Sequence, residues 1–116
     1  MSSLRTPETK LKYQEYLGAP VVGGCDLCRK PALQSFTYWK ITENRFPYDL
    51  IAETHHMLLP IRHVTEEQFT PEEITELLMI KRSTVAEEYE WIIEASPKKK
   101  SIPSHFHLHL IVGKTS

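Results

Sequence analysis

The stretch Ser104-His105-Phe106-His107-Leu108-His109-Leu110-Ile111-Val112 places three histidines at strict alternation. It is short, and rich in β-branched and aromatic residues, which predicts a buried strand rather than a helix. Side chains on a strand alternate faces with a period of two. His105, His107 and His109 therefore share one face, and Phe106, Leu108 and Leu110 share the other. Imidazoles in a row can bind a metal, bind phosphate, or supply a nucleophile with its acid and base partners. Upstream, His55-His56-Met57-Leu58-Leu59-Pro60-Ile61-Arg62-His63 adds a second histidine-bearing apolar run. The only two cysteines, Cys25 and Cys28, are spaced C-x-x-C. In a reducing compartment that spacing means metal or redox chemistry. Together with His63 and His105 the cysteines make a Cys₂His₂ donor set of the kind zinc takes in a closed structural site. No βαβ pattern surrounds the cysteines, which argues against a thioredoxin-like pair. Three histidines on one strand span about 13 Å between outer Cα atoms, which is awkward for one catalytic ion.

Several elements must position these groups. Thr6-Pro7-Glu8 is a helix start, with Thr as N-cap and Pro in the first turn. It predicts a helix from Pro7 to Leu17, stopped at Gly18, with Tyr13 and Tyr16 packing it onto the rest. Residues 1–20 form this N-terminal extension, and 21–116 the main domain. Gln34 to Ile41 reads as one strand, with Phe36 and Tyr38 facing away from Trp39 and Ile41. Asp49 to Glu53 and Met57 to Pro60 read as two strand segments. Thr70-Pro71-Glu72-Glu73 combines a capping-box spacing with Pro in the first turn. It opens an amphipathic helix to Glu88, followed by a strand at Trp91-Ile92-Ile93. Strands around one long helix predict an α+β fold with an antiparallel sheet and a short N-terminal helix.

At 116 residues, 41% hydrophobic and 25% charged, the chain is expected to be a single compact unit. A net charge of −1 gives no polycationic signature for nucleic acid. No apolar run is long enough to span a membrane, and the first residues lack the apolar core of a signal peptide, so a cytoplasmic protein is expected. The Lys98-Lys99-Lys100 run is read as a solvated loop. His56 alternates away from His55 and is read as an opposite-face residue.

The triad, the upstream His-to-Pro-basic-x-His segment and the cysteine knuckle, in this order around one long helix, resemble the zinc-containing branch of the histidine triad (HIT) superfamily. The resemblance runs from about Cys25 to Val112. It implies a nucleotidyl hydrolase or transferase acting at a nucleoside α-phosphate. Structural zinc is then held by Cys25, Cys28, His63 and His105. His107 is the nucleophile that forms a covalent nucleotidyl-histidine. His109 bonds a phosphate oxygen or protonates the leaving group, and His55 lies behind the nucleophile. Ser101 and Ser104 are the phosphate-side residues, and Phe46 and Leu50 line the base pocket. A nucleotide or nucleotide conjugate is the implied substrate, and a homodimer paired through helix and sheet edge the implied assembly. The chain departs from the pattern at Glu94, where many members carry Asn, and in the Ser96-to-Pro103 loop, which replaces a glycine-rich one. The alternative is a zinc-stabilised module that binds nucleotides or a partner without turnover.

Overall fold

The computed structural model describes residues 4–18, 25–96 and 104–115. The elements are α1 (Pro7–Gly18), α2 (Asp26–Arg29), β1 (Gln34–Ser35), β2 (Trp39–Glu43), β3 (Ala52–Pro60), α3 (Pro71–Ile80), α4 (Ala86–Glu88), β4 (Trp91–Ile93) and β5 (Leu108–Gly113). The strands form one antiparallel sheet in the order β1-β2-β3-β5-β4. This is the α+β architecture expected from the sequence. The boundary placed at residue 20 lies outside the described residues, as do Ser101 and the Lys98–Lys100 run.

Alternation along the strands gives the sheet two unlike faces. Trp39, Ile41, Leu58, Phe106, Leu108 and Leu110 pack with Leu77, Ile80 and Val85 of the helical run in one apolar core. Trp39 meets Phe69 and Phe106 edge-on, at centroid distances of 5.4 and 6.0 Å. Its indole N–H donates to the Glu73 carbonyl at 2.8 Å, so the ring is buried with its polar atom satisfied. The opposite face carries the histidines, with a smaller cluster of Leu27, Met57 and Leu59 beside half-buried Cys25. His56 sits on the helix side, where it accepts from the Tyr89 hydroxyl at 2.6 Å.

The predicted capping box at Thr70 is present. Glu73 N–H donates to Thr70 Oγ1 at 3.1 Å, and Thr70 N–H donates to Glu73 Oε1 at 2.8 Å. Glu73 is only 1% exposed. Arg62 donates to both of its oxygens, from Nη2 at 2.7 Å and Nε at 3.1 Å, and holds its carboxyl below the usual range. Replacing Glu73 by alanine removes the side-chain half of the capping box and the buried half of this pair. Stability should fall by about 1–3 kcal/mol, read as a lower denaturation midpoint at an unchanged m-value.

The helical run reaches Glu88 as expected, but Lys81–Val85 is a π-turn. The extra residue per turn there re-phases the helix, and Val85 still reaches the core.

Three strand expectations differ from the structure. Gln34 to Ile41 is a hairpin rather than one strand, with Gln34 opposite Ile41 and Phe36 N–H bonded to Trp39 O at 2.7 Å. The turn is held from outside, by the Glu76 carboxylate accepting from Thr37 and Tyr38 N–H. Phe36 consequently packs beside Trp39 instead of opposing it. The two segments around His55 are one strand, β3, paired on both sides by β2 and β5. Polar residues at 53–56 interrupt its apolar pattern because they face the site, a loop or the helix end. The sheet ladder of the triad strand begins only at Leu108. His105 and Phe106 are tied instead to the chain after β3, through the His105 ring to Pro60 O (2.9 Å) and Phe106 N–H to Val64 O (2.8 Å).

No residue of α1 is buried, so the helix is held by its rim. Tyr13 and Tyr16 stack on Phe46 at 5.3 and 5.1 Å. The Asp49 carboxylate accepts from Thr6 N–H (2.7 Å), Thr6 Oγ1 (3.0 Å) and Thr9 Oγ1. Among the described residues no helix is long and apolar enough to cross a membrane.

Candidate active site and metal centre

Cys25 is the N-cap of the short α2 and Cys28 lies within it, His63 follows β3, and His105 precedes β5. Their donor atoms all lie within 4.8 Å of one another. The sulfur of Cys28 is 3.3 Å from His63 Nδ1 and 3.4 Å from His105 Nδ1, and that of Cys25 is 3.6 Å from His105 Nδ1. A tetrahedral zinc with ordinary Zn–S and Zn–N bonds needs S···N edges of about 3.5 Å, so the spacing fits. The tautomer fits too. His105 Nε2–H donates to Pro60 O at 2.9 Å, which leaves the Nδ1 lone pair to the cluster. Burial, then the neighbouring Cys25 thiol, push the Cys28 thiol up, so ionising both thiols here calls for a cation. Lys40 Nζ ties the knuckle to the sheet through the carbonyls of Lys30 (2.9 Å) and Cys28 (3.4 Å).

The other triad members do not converge on this cluster. His107 Nδ1–H donates to the His105 carbonyl at 3.0 Å, which leaves its lone pair on Nε2. Behind it, hydrogen bonds close a ring. Tyr48 N–H donates to His55 Nδ1 at 2.9 Å. The proton of neutral His55 is therefore on Nε2, and it donates to His109 Nδ1 at 2.8 Å. His109 in turn carries its proton on Nε2, 3.3 Å from the Tyr48 hydroxyl oxygen. The ring begins and ends on Tyr48, whose side chain also stacks on both imidazoles at 4.5 and 4.9 Å. The Asn44 amide nitrogen lies 3.3 Å from His55 Nε2 but finds no lone pair there. Its carbonyl accepts from Phe46 N–H.

Burial first, then Arg5, lowers the His55 pKa to about 3; burial and then His55 do the same to His109. Both are neutral donors at physiological pH. In the unfolded chain each regains an ordinary pKa of about 6.5. The unfolded state therefore binds more protons between about pH 6.5 and 3. Stability held above that window is lost on acidification, by up to about 1.4 kcal/mol per histidine per pH unit. In a histidine-resolved NMR titration from pH 8 to 5, both rings should stay neutral. A midpoint near 6.5 for either would refute the ring.

The structure thus brings together Cys25, Cys28, His63 and His105, and separately His55, His107 and His109. Ser104 is exposed at the approach to His105, and Ser101 lies outside the described residues. Phe46 is stacked against α1, and Leu50 is 51% exposed, its N–H bonded to Leu4 O. The sequence reading missed Tyr48, Asn44 and Arg5. Their roles depend on loop and N-terminal packing that no period encodes.

No family model and no curated protein sequence matches the chain. Solved structures do. A HIT family hydrolase from Legionella pneumophila Philadelphia 1 is 20% identical, with 79% of this chain and 95% of that chain covered at a TM-score of 0.55. A HIT family hydrolase from Clostridium thermocellum is 14% identical, with 82% and 94% covered at 0.55. A protein described as HIT-like is 13% identical, with 73% and 87% covered at 0.54. Sheet order, helix placement and these likenesses agree: the chain has the fold of the histidine triad (HIT) superfamily.

Proposed function

We propose that this protein is a nucleotidyl hydrolase or transferase acting at a nucleoside α-phosphate through a covalent intermediate on His107. One observation carries the reading. The His107 Nδ1–H is engaged by a main-chain carbonyl, so the nucleophilic lone pair is on Nε2, with the His109 ring 5.2 Å away between centroids. In the reaction, the His107 Nε2 lone pair forms a bond to phosphorus. The bond from phosphorus to the leaving group breaks, and the leaving group departs with its electron pair and takes up a proton from water. The positive charge that develops on the His107 ring is met by the His105 carbonyl through Nδ1–H. His109 has one N–H, on Nε2, and turns it from the Tyr48 hydroxyl to a phosphate oxygen when substrate binds. Water or another acceptor then attacks phosphorus and breaks the P–N bond, which restores His107.

Cys25, Cys28, His63 and His105 would hold zinc, whose contribution is structural: it clamps the knuckle to the sheet and fixes the carbonyl that orients His107. Ser104 and Ser101 are assigned to the phosphate, and Phe46 and Leu50 to the base. The homodimer implied by the resemblance has a surface at hand, since edge strand β4 leaves Trp91 65% exposed.

Intact-protein mass spectrometry after incubation with adenosine 5′-phosphoramidate tests the reading. The expected result is a mass increase of one adenylyl group, or release of AMP. Binding of AMP with neither adduct nor product from a broad nucleotide panel would leave a binding module instead.

A further inference from the structure

His55 and His109 are held neutral, and since the His55 N–H is given to His109 the pair brings the site one donor and no charge. A nucleotidyl-transfer site needs positive charge where the phosphate oxygens sit. Lys40 is a nearby cation, but its Nζ is committed to the carbonyls of Cys28 and Lys30 on the metal side. The other is Arg5. Its guanidinium carbon lies 4.2 Å from the centre of the Tyr13 ring and 4.9 Å from that of Tyr48. Tyr48 is the residue whose hydroxyl meets His109 Nε2. The Arg5 charge acts on both His55 and His109, and on Tyr48 as well.

This placement is built rather than incidental. Arg5 Nε–H donates to Phe46 O at 2.8 Å. On one side Leu4 O accepts from Leu50 N–H at 3.1 Å; on the other Thr6 is bonded twice to Asp49. Residues 4–6 are thus pinned onto the loop that carries Tyr48. The guanidinium, sandwiched by tyrosines, is fixed one ring away from the histidine pair.

We propose that Arg5 is the phosphate-binding cation of this site, supplied by the N-terminal segment, and that α1 is therefore part of the nucleotide-binding unit. The inference rests on the nucleotidyl reading above and assigns its substrate-charge recognition to a residue outside the triad motifs.

The test compares 5′-AMP with adenosine by calorimetric titration on the metal-loaded wild type, Arg5→Gln and Arg5→Lys. Arg5→Gln should weaken AMP by about 10- to 100-fold, the scale of a charge-assisted bond, and leave adenosine binding unchanged. Arg5→Lys should recover part of the loss, and the salt dependence of AMP binding should shrink in Arg5→Gln. Unchanged adenosine binding also shows that the variant is folded. Equal weakening of both ligands would make Arg5 an anchor for α1 only, and no weakening of AMP would overturn the proposal outright. If the wild type binds neither ligand, the nucleotidyl reading itself fails.

Discussion

His107→Ala should lose at least about 10³-fold in turnover and form no adenylyl adduct, while its metal content and melting temperature stay near those of the wild type. The size follows from the chemistry, since removing a covalent nucleophile removes the whole two-step path rather than one stabilising contact. Stability should hold because the His107 ring lies on the face opposite the apolar core, where it bonds a main-chain carbonyl. His107→Gly gives a sharper version. Added imidazole can occupy the vacated space and restore part of the rate without restoring the protein adduct. Turnover retained in His107→Ala would remove His107 from the mechanism. The His109→Ala variant should be milder, about 10²- to 10³-fold, since it loses one donor to a phosphate oxygen and keeps the nucleophile.

Stripping the metal should be the largest perturbation of stability. The four donors come from segments 35 and 77 residues apart, so a bound ion cross-links the knuckle, the end of β3 and the start of the triad. Among the described residues, the knuckle is otherwise tied by Leu27 against Met57 and Leu59, by Lys40, and by Tyr16 bonded to Asp26. The protein as purified should contain about one zinc per chain. Chelation, or Cys28→Ser, should cost at least about 3 kcal/mol and lower the melting midpoint by about 10 °C or more. Activity should fall with it, because His105 is at once a donor to the cluster and the source of the carbonyl that orients His107. An unchanged melt after chelation, with zinc absent by elemental analysis, would show that the cluster does without a metal.

Much of this was legible before the structure. The period-two run at 104–112 sorts histidines from apolar residues because one sheet face packs on the helical run after Pro71 and the other carries the site. The capping box at Thr70 is a local signal, and the structure contains it. The C-x-x-C pair marks itself as a metal-binding half-site, while the choice of His63 and His105 among six histidines came with the resemblance to the HIT pattern. What the sequence left hidden is non-local. The hairpin at Phe36 is set by Glu76, some forty residues on. The extent of β3 is set by partners on both sides. Tyr48 shows nothing periodic, and acts through a backbone N–H that any residue but proline would supply. Arg5 matters because Asp49 catches the residue beside it.

The two-faced sheet has one more consequence. No residue of α3 lies among the site residues, yet α3 decides where the imidazoles point. Met57 pairs with His109, and Leu58 with Leu108. If β5 slid by one residue against β3, every side chain on it would change faces. His109 would be driven under the helix, and Leu108 and Leu110 would be stranded where phosphate should sit. What forbids the slip is the fit of Leu108 and Leu110 against Leu77, Ile80 and Val85. The helix works as a jig, aiming the histidines through the thickness of a sheet. A cavity cut at Leu77 or Ile80 should therefore blur the register and scatter the histidines before it unfolds the chain.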